Sequence, residues 1–463
     1  MARQDSKLEL HGEENIPSGG ILIIANRLSF QDVLHLEKQL SGRNHVYLID
    51  SRLEYDPLLQ AHLEKEDTHA LEFSSDDGSK ATFKKELHQY LAEGSVVIFV
   101  PGAVYARSGQ TLTIPTEIVK FLTSAGAPIL PLFVDHPEET AMGVENRAEV
   151  ERIVLSFGEP LQREAVNPAN FTENLLIAAE TAYSARPILD SHLTYELLRG
   201  LKKNARSTEI IDGLDGTTLR FDKLLGVAIA FSKVIRKETQ KKRVGIILPP
   251  GKGGLVANLA VLLAGKVPVN LNFTAGEKAI ASCIAQAEMD KFITADPFVR
   301  KMSSFNWPPN RQLLFLDRIL PSMKGKIAIW LGLSKLLPTG LLASLLNIPK
   351  KGGKEEAVLL FTSGSSGDPK GVVLSHRNLL ANVNQFGSRI DLKSDDKILG
   401  CLPLFHSFGA TVTMWYPMIE GVSLVTYPSP LEVGKSTQST SFSPLPPFSV
   451  GTCAKPPKNN FSQ

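Results

Sequence analysis

Leu359-Leu360-Phe361-Thr362-Ser363-Gly364-Ser365-Ser366-Gly367-Asp368-Pro369-Lys370-Gly371-Val372-Val373-Leu374-Ser375-His376 is the stretch around which the rest of the chain is read. An apolar run that reads as a strand feeds a loop of glycines and hydroxyls, then Lys370, then a second β-branched run. That is the chemistry a polyphosphate needs. Gly364 and Gly367 let backbone N–H groups turn inward as an anion-binding concavity, Thr362, Ser363, Ser365 and Ser366 add hydroxyl donors, and Lys370 brings a mobile positive charge. Pro369 removes one donor but stiffens the loop. The order is not a Walker A loop, because no Gly-Lys-Ser/Thr follows the first glycine at the required distance.

The string closely resembles the phosphate loop of the adenylate-forming superfamily, which includes acyl-CoA synthetases, luciferases and peptide-synthetase adenylation domains. The resemblance implies ATP and Mg2+ as cofactors, with Thr362 to Gly367 and Lys370 on the phosphates; the metal ligands stay unknown. Downstream, Ser375 to Asn382 reads as a capped helix. The segment Leu402-Pro-Leu-Phe-His406-Ser-Phe-Gly409 then resembles the family's next motif, whose aromatic or His residue lies by the acyl pocket. His406 is thus expected to position substrate, the alternative being a structural His in a turn.

Upstream, Leu193 to Arg206 and Thr217 to Lys237 read as amphipathic helices around a turn at Asp212 to Gly216. Strands are expected at Arg243 to Pro249, Val267 to Asn272 and Lys291 to Ala295, with helices at Gly254 to Ala264 and Glu277 to Met289. Alternation at this spacing indicates a parallel α/β sheet. Gly251-Lys252-Gly253 is rejected as a second phosphate loop, since no preceding glycine or following Ser/Thr completes it.

At 463 residues the chain has room for two or three domains. Apolar content of 43% and charged content of 21% suit a globular protein, and a formal charge of +2 argues against bulk attraction to nucleic acid. Cys283, Cys401 and Cys453 show no pairing or metal spacing, which fits a reducing cytoplasm. The N-terminus has no apolar core of a signal peptide.

One segment complicates that reading: Ile327 to Ile348 holds only Lys335 as a charge, with lysines before and after it. A charge at the centre of a membrane span costs about 2.5 kcal/mol or more, so Lys335 and Pro338 argue against crossing. Two readings remain: a pair of short helices in a membrane surface, with lysines toward anionic headgroups, or a buried helical hairpin.

Near the start, Gly20 to Asn26 reads as a buried strand, Arg27-Leu-Ser-Phe-Gln-Asp32 as a polar loop, and Val33 to Leu40 as a helix. This resembles the first motif of the glycerolipid acyltransferases, Asn-His-x-Ser-x-x-Asp, in which the His takes a proton from a glycerol hydroxyl and the Asp orients its ring. Here Arg27 stands where that His belongs, and Asp32 is retained. A guanidinium cannot accept a proton at neutral pH. His45 with Asp50, and His62 with Asp67, match the spacing elsewhere but are badly aligned for catalysis on a strand or a helix. In Val96 to Gly109, Gly102 and Val104 replace the Glu and Arg of the family's glycerol-phosphate loop, while Gly126 to Phe133 matches its last strand. A scaffold without its chemistry is expected; a misaligned live site is the alternative.

The order of the two units resembles the bacterial fused acyl-acyl carrier protein synthetase and acylglycerophosphoethanolamine acyltransferase family. That implies an α/β chain of two domains: acyltransferase-like residues 8–165 with degenerate motifs, a helical linker at 166–186, and the N-terminal part of an adenylate-forming domain at 187–434. It further implies activation of a fatty acid and transfer to an acyl carrier protein or coenzyme A, in the cytoplasm with a peripheral contact to the inner membrane through 327–348. Lysophospholipid acylation and non-catalytic lipid or nucleotide binding are the alternatives. Residues 435–463, rich in Ser and Pro, read as a disordered or non-native tail. The resemblance stops before the family's ribose-binding Asp and lid lysine, so a shortened, poorly soluble domain is expected.

Overall fold

The computed structural model describes residues 7–50, 54–66, 68–73, 77–100, 126–136, 152–162, 167–362, 368–387, 390, 392 and 395–433. Residues 363–367 of the glycine-hydroxyl turn, the loop around Gly102 and Val104, Asp67 and the segment 434–463 lie outside them.

The first unit is a seven-stranded sheet built from β1 (Lys7–His11), β2 (Ile21–Ala25), β3 (His45–Asp50), β4 (His69–Phe73), β5 (Val96–Phe99), β6 (Ile129–Asp135) and β7 (Arg152–Phe157). Their spatial order is β1-β7-β6-β2-β5-β3-β4, parallel except where β6 meets β7. A parallel sheet must be covered on both faces, which is why β2 is apolar at every position and wholly buried. Ile21, Ile23 and Ala25 face α1 (Phe30–Gln39) and α2 (Pro57–Leu63). Leu22 and Ile24 face the layer of α3 (Asp77–Ala92) and α4 (Pro168–Ser184), which adds Phe171 and Leu175 to that core. The helix expected as a linker therefore also packs as a wall of the first sheet.

Residues 187–433 form α5 (Leu193–Lys203), β8 (Glu209–Asp212), β9 (Thr218–Arg220), α6 (Phe221–Glu238), β10 (Arg243–Ile246), α7 (Lys252–Leu263), β11 (Val267–Asn270), α8 (Glu277–Gln286), β12 (Phe292–Thr294) and β13 (Leu313–Phe315). There follow α9 (Lys324–Leu336), α10 (Thr339–Leu345), β14 (Glu356–Thr362), β15 (Lys370–Ser375), α11 (His376–Gly387), β16 (Lys397–Gly400), α12 (Tyr416–Glu420) and β17 (Ser423–Thr426). Strands β11-β10-β12-β13 make the expected parallel sheet. A second sheet, β16-β17-β8-β9, is parallel except for the hairpin β8–β9.

That hairpin corrects the expectation of helix from Thr217. After the turn at Asp212 to Gly216, Thr218 to Arg220 pair back onto β8, and α6 starts only at Phe221. The long apolar segment is two helices divided at Leu337 and Pro338, because proline fits a helix start and not its interior. Among the described residues, no helix is long and apolar enough to cross a membrane.

Candidate functional site

Strands β14 and β15 form an antiparallel hairpin in which Leu360 faces Val372, Phe361 faces Gly371 and Thr362 faces Lys370. Val358 and Leu360 enter the main core of the second unit while Leu359 enters the cluster around β11 and β12, so β14 is buried and β15 carries the hairpin's exposed side. The turn thus leaves an anchored strand and returns on a solvent-facing one. Thr362 and Lys370, both exposed, flank its mouth, with Thr362 Oγ1 3.5 Å from the Lys370 carbonyl oxygen. From α8, Gln286 donates to the Pro369 carbonyl at 2.8 Å and ties down the return limb.

The base of the hairpin is fixed electrostatically. Glu356 meets Arg243 at 2.7 Å and Lys242 at 2.6 Å. Burial raises its carboxyl pKa, but these two cations more than offset that and leave it below the usual carboxylate value. At the same end, where Ser375 faces Glu356, Ser375 and Asn378 cap α11 reciprocally: the Asn378 amide donates to Ser375 Oγ at 3.1 Å and the Ser375 amide to Asn378 Oδ1 at 3.0 Å.

His376, the first residue of α11, stacks on His192 with ring centroids 3.8 Å apart. Both imidazoles accept amides at the start of α5, Leu193 N–H to His376 Nδ1 at 3.1 Å and Thr194 N–H to His192 Nδ1 at 3.2 Å. Burial pushes His192 down to about 4, and burial with the neighbouring imidazole pushes His376 down to about 3. Gly352 has no room for a side chain, since a Cβ there would lie 2.5 Å from the His376 ring. This anchor was not legible in the sequence, because its two histidines stand 184 positions apart, and only the hydrogen bonds of α5 bring them into register.

His406 lies on a different segment, exposed at the turn after β16, against the ring of Phe405. Phe405 packs edge-on against Phe273, and Phe273 against Phe298, so the imidazole borders an aromatic wall. Lys252, in the rejected glycine turn, is occupied by Thr217 and by Asp212 at 3.6 Å, and Gly251 has a φ of 132° that favours glycine.

In the first unit, Asn26 prolongs the edge of β2, its side-chain amide donating to the Val134 carbonyl at 3.1 Å and its side-chain oxygen accepting the Val134 amide at 2.6 Å. Asp32 is fully buried at the third position of α1, where Oδ2 accepts the Ser29 amide at 2.7 Å. Its Oδ1 meets His136 Nε2 at 2.7 Å. Burial pushes the Asp32 carboxyl up, yet His136, Arg27 and the Ser29 amide outweigh burial and hold it below the usual value. Sequence reasoning missed His136, which follows β6. The two histidines matched by spacing are used structurally: His45 Nε2 meets the Leu40 carbonyl at 3.2 Å, and His62 Nε2 meets Glu37 at 3.1 Å.

Residues 199–437 match the family model for AMP-binding enzymes, and residues 7–135 match that for acyltransferases. The first match covers more than half of the chain, which therefore belongs to the AMP-binding enzyme family, with an acyltransferase domain before it. The long-chain-fatty-acid–CoA ligase of Bacillus subtilis (strain 168) is 28% identical over 269 residues, 52% of this chain and 48% of that one. The long-chain-fatty-acid–CoA ligase FadD13 of Mycobacterium tuberculosis (strain H37Rv) is 31% identical over 122 residues, 26% of this chain and 24% of that one. The chain thus spans at most about half the length of either relative. The inhibitor-bound N-terminal domain of FACL13 from Mycobacterium tuberculosis is similar at a TM-score of 0.41 and 18% identity, covering 53% of this chain and 60% of that one.

Proposed function

We propose that this protein activates a fatty acid with ATP, giving an acyl-adenylate and pyrophosphate, and passes the acyl group to the thiol of an acyl carrier protein. The carrying observation is the hairpin: Thr362 and Lys370 face each other in register across the glycine-hydroxyl turn. In this reading Thr362, Ser363, Gly364, Ser365, Ser366 and Gly367 hold phosphate oxygens through hydroxyls and backbone amides, and Lys370 neutralises part of their charge. ATP supplies an α-phosphorus open to attack by a carboxylate; the chain's own residues bind and orient it. Mg2+ accompanies the phosphates, as that ion commonly does. Among the described residues no three His, Cys, Asp or Glu side chains gather as a metal site.

A fatty carboxylate is supported by the names of the two ligases, and His406 with its aromatic wall is proposed beside the acyl chain. Carrier protein rather than coenzyme A is supported only by the order of the two units. The acyltransferase-like unit is proposed to be inactive, because Arg27 cannot act as a base and both oxygens of Asp32 are engaged. Acylation of a lysophospholipid would need His136 instead, the imidazole that Asp32 does touch. The chain is proposed to work in the cytoplasm, meeting a membrane surface through 327–348.

The test is ATP–pyrophosphate exchange. It should depend on added fatty acid and fall roughly ten- to a hundredfold in Lys370→Ala, the worth of one charge-assisted hydrogen bond. Exchange that ignores fatty acid, or survives the substitution intact, contradicts the assignment.

A further inference from the structure

The stretch from Arg318 to Lys354 holds seven lysines and arginines and no Asp or Glu. Its two helices are held in one orientation. Gly226 of α6 brings that helix against the backbone of α9, where a Cβ would lie 3.3 Å from Leu331, and Lys233 sits over the Trp330 ring at 5.3 Å. Lys202, from α5, donates to the carbonyls of Ser334 and Leu337 and closes the C-terminus of α9. With that face bound, the opposite one is set. Ala328, Ile329, Gly332, Lys335 and Leu336 recur at helical spacing and form an outward stripe.

That stripe is apolar where a water-facing helix is ordinarily polar. Ile329 is 61% exposed and Leu336 81%, and α10 adds Leu341 and Leu345, both at least half exposed. Lys335 belongs to the stripe and also lines a cleft of about 410 Å3, together with Lys202, Lys203 and Arg206. Asp222 is the one acid in that lining, and it is already neutralised by Arg220 at 2.8 Å and Lys335 at 3.3 Å. Lys203 and Arg206 stand exposed.

We infer that this cleft receives the phosphate of an anionic phospholipid while the stripe of α9 and α10 lies in the headgroup boundary of the bilayer. The inference rests on the proposed surface contact and adds its lipid selectivity. Charge and apolarity side by side choose the occupant: an acidic protein would meet the lysines yet leave Leu336 and Ile329 without a purpose, whereas an anionic bilayer satisfies both.

The test is co-sedimentation of the full chain with vesicles of phosphatidylcholine alone or mixed with phosphatidylglycerol. The unmodified chain should prefer the anionic vesicles. Lys203→Ala with Arg206→Ala should weaken anionic binding roughly thirtyfold, two residues each contributing about fivefold, and leave binding to neutral vesicles unchanged. A control pair outside the cleft, Lys278→Ala with Lys301→Ala, should weaken it far less. Ile329→Ser with Leu336→Ser should weaken binding to both kinds of vesicle. If the cleft pair and the control pair act equally, the headgroup site is overturned and the surface contact stands. If the chain binds neither vesicle, or binds an acidic carrier protein through Lys203 and Arg206 instead, both fall.

Discussion

Both carboxylate oxygens of Asp32 are engaged inside the first unit, one by the Ser29 amide and one by His136. Removing one partner of a buried charged pair leaves the other stranded, a loss of about 3–5 kcal/mol. His136→Ala should therefore lower the unfolding free energy measured by urea titration by an amount in that range, with an earlier midpoint, and an unchanged midpoint would show the pair to be ornamental. Arg27, Ser29 and Asp32 were legible because they fall within six consecutive residues of one loop and helix start. His136 was not, since it reaches Asp32 only after β6 has been laid beside β2, a pairing that no local pattern announces.

At the level of elements, the start of α5 depends on neutral imidazoles. His192 and His376 each offer a lone pair to a backbone amide, and a proton on either ring removes that acceptor and sets a cation against the positive end of the helix. Asp190 and Arg377 pair nearby at 3.5 Å, and Glu196, Lys350 and Lys351 stand on the adjoining segments. Both folded-state values are depressed, so the unfolded chain binds more protons: the stabilisation is complete above about pH 6.5 and is lost as pH falls from there through about pH 4 for His192 and about pH 3 for His376. The melting temperature should drop steeply across that window, and His192→Gln with His376→Gln should flatten the profile. A wild-type profile already flat there contradicts the anchor. The hairpin it secures was readable in sequence as an apolar run and a β-branched run on either side of a glycine turn. The short strands β8 and β9 were hidden, since four and three residues carry too little period to register.

At the scale of the whole molecule, the buried side chain of Arg186 joins the two units. Arg186 pairs with Asp135 of β6, 2.7 Å from Nε to Oδ2, and donates to Asn384 of α11, the helix that follows the β14–β15 hairpin. Asp135 directly precedes His136, so neighbouring residues serve Asp32 on one side and the second unit on the other. Arg186→Leu strands the Asp135 carboxylate and should cost about 3–5 kcal/mol, with Asp135→Leu added to it restoring part of the loss. A single variant as stable as the parent would mean that the units are not held by this contact. The alternation of strand and helix announced both α/β units, yet their joint was invisible, because Arg186 with Asp135 and Asn384, and Arg377 with the Ser184 carbonyl, meet across long stretches of chain. The most direct test of the central claim is calorimetric titration of ATP into the full chain and into Lys370→Ala. Saturable binding that weakens roughly ten- to a hundredfold in the variant is expected; equal affinity, or no binding to either, contradicts the account.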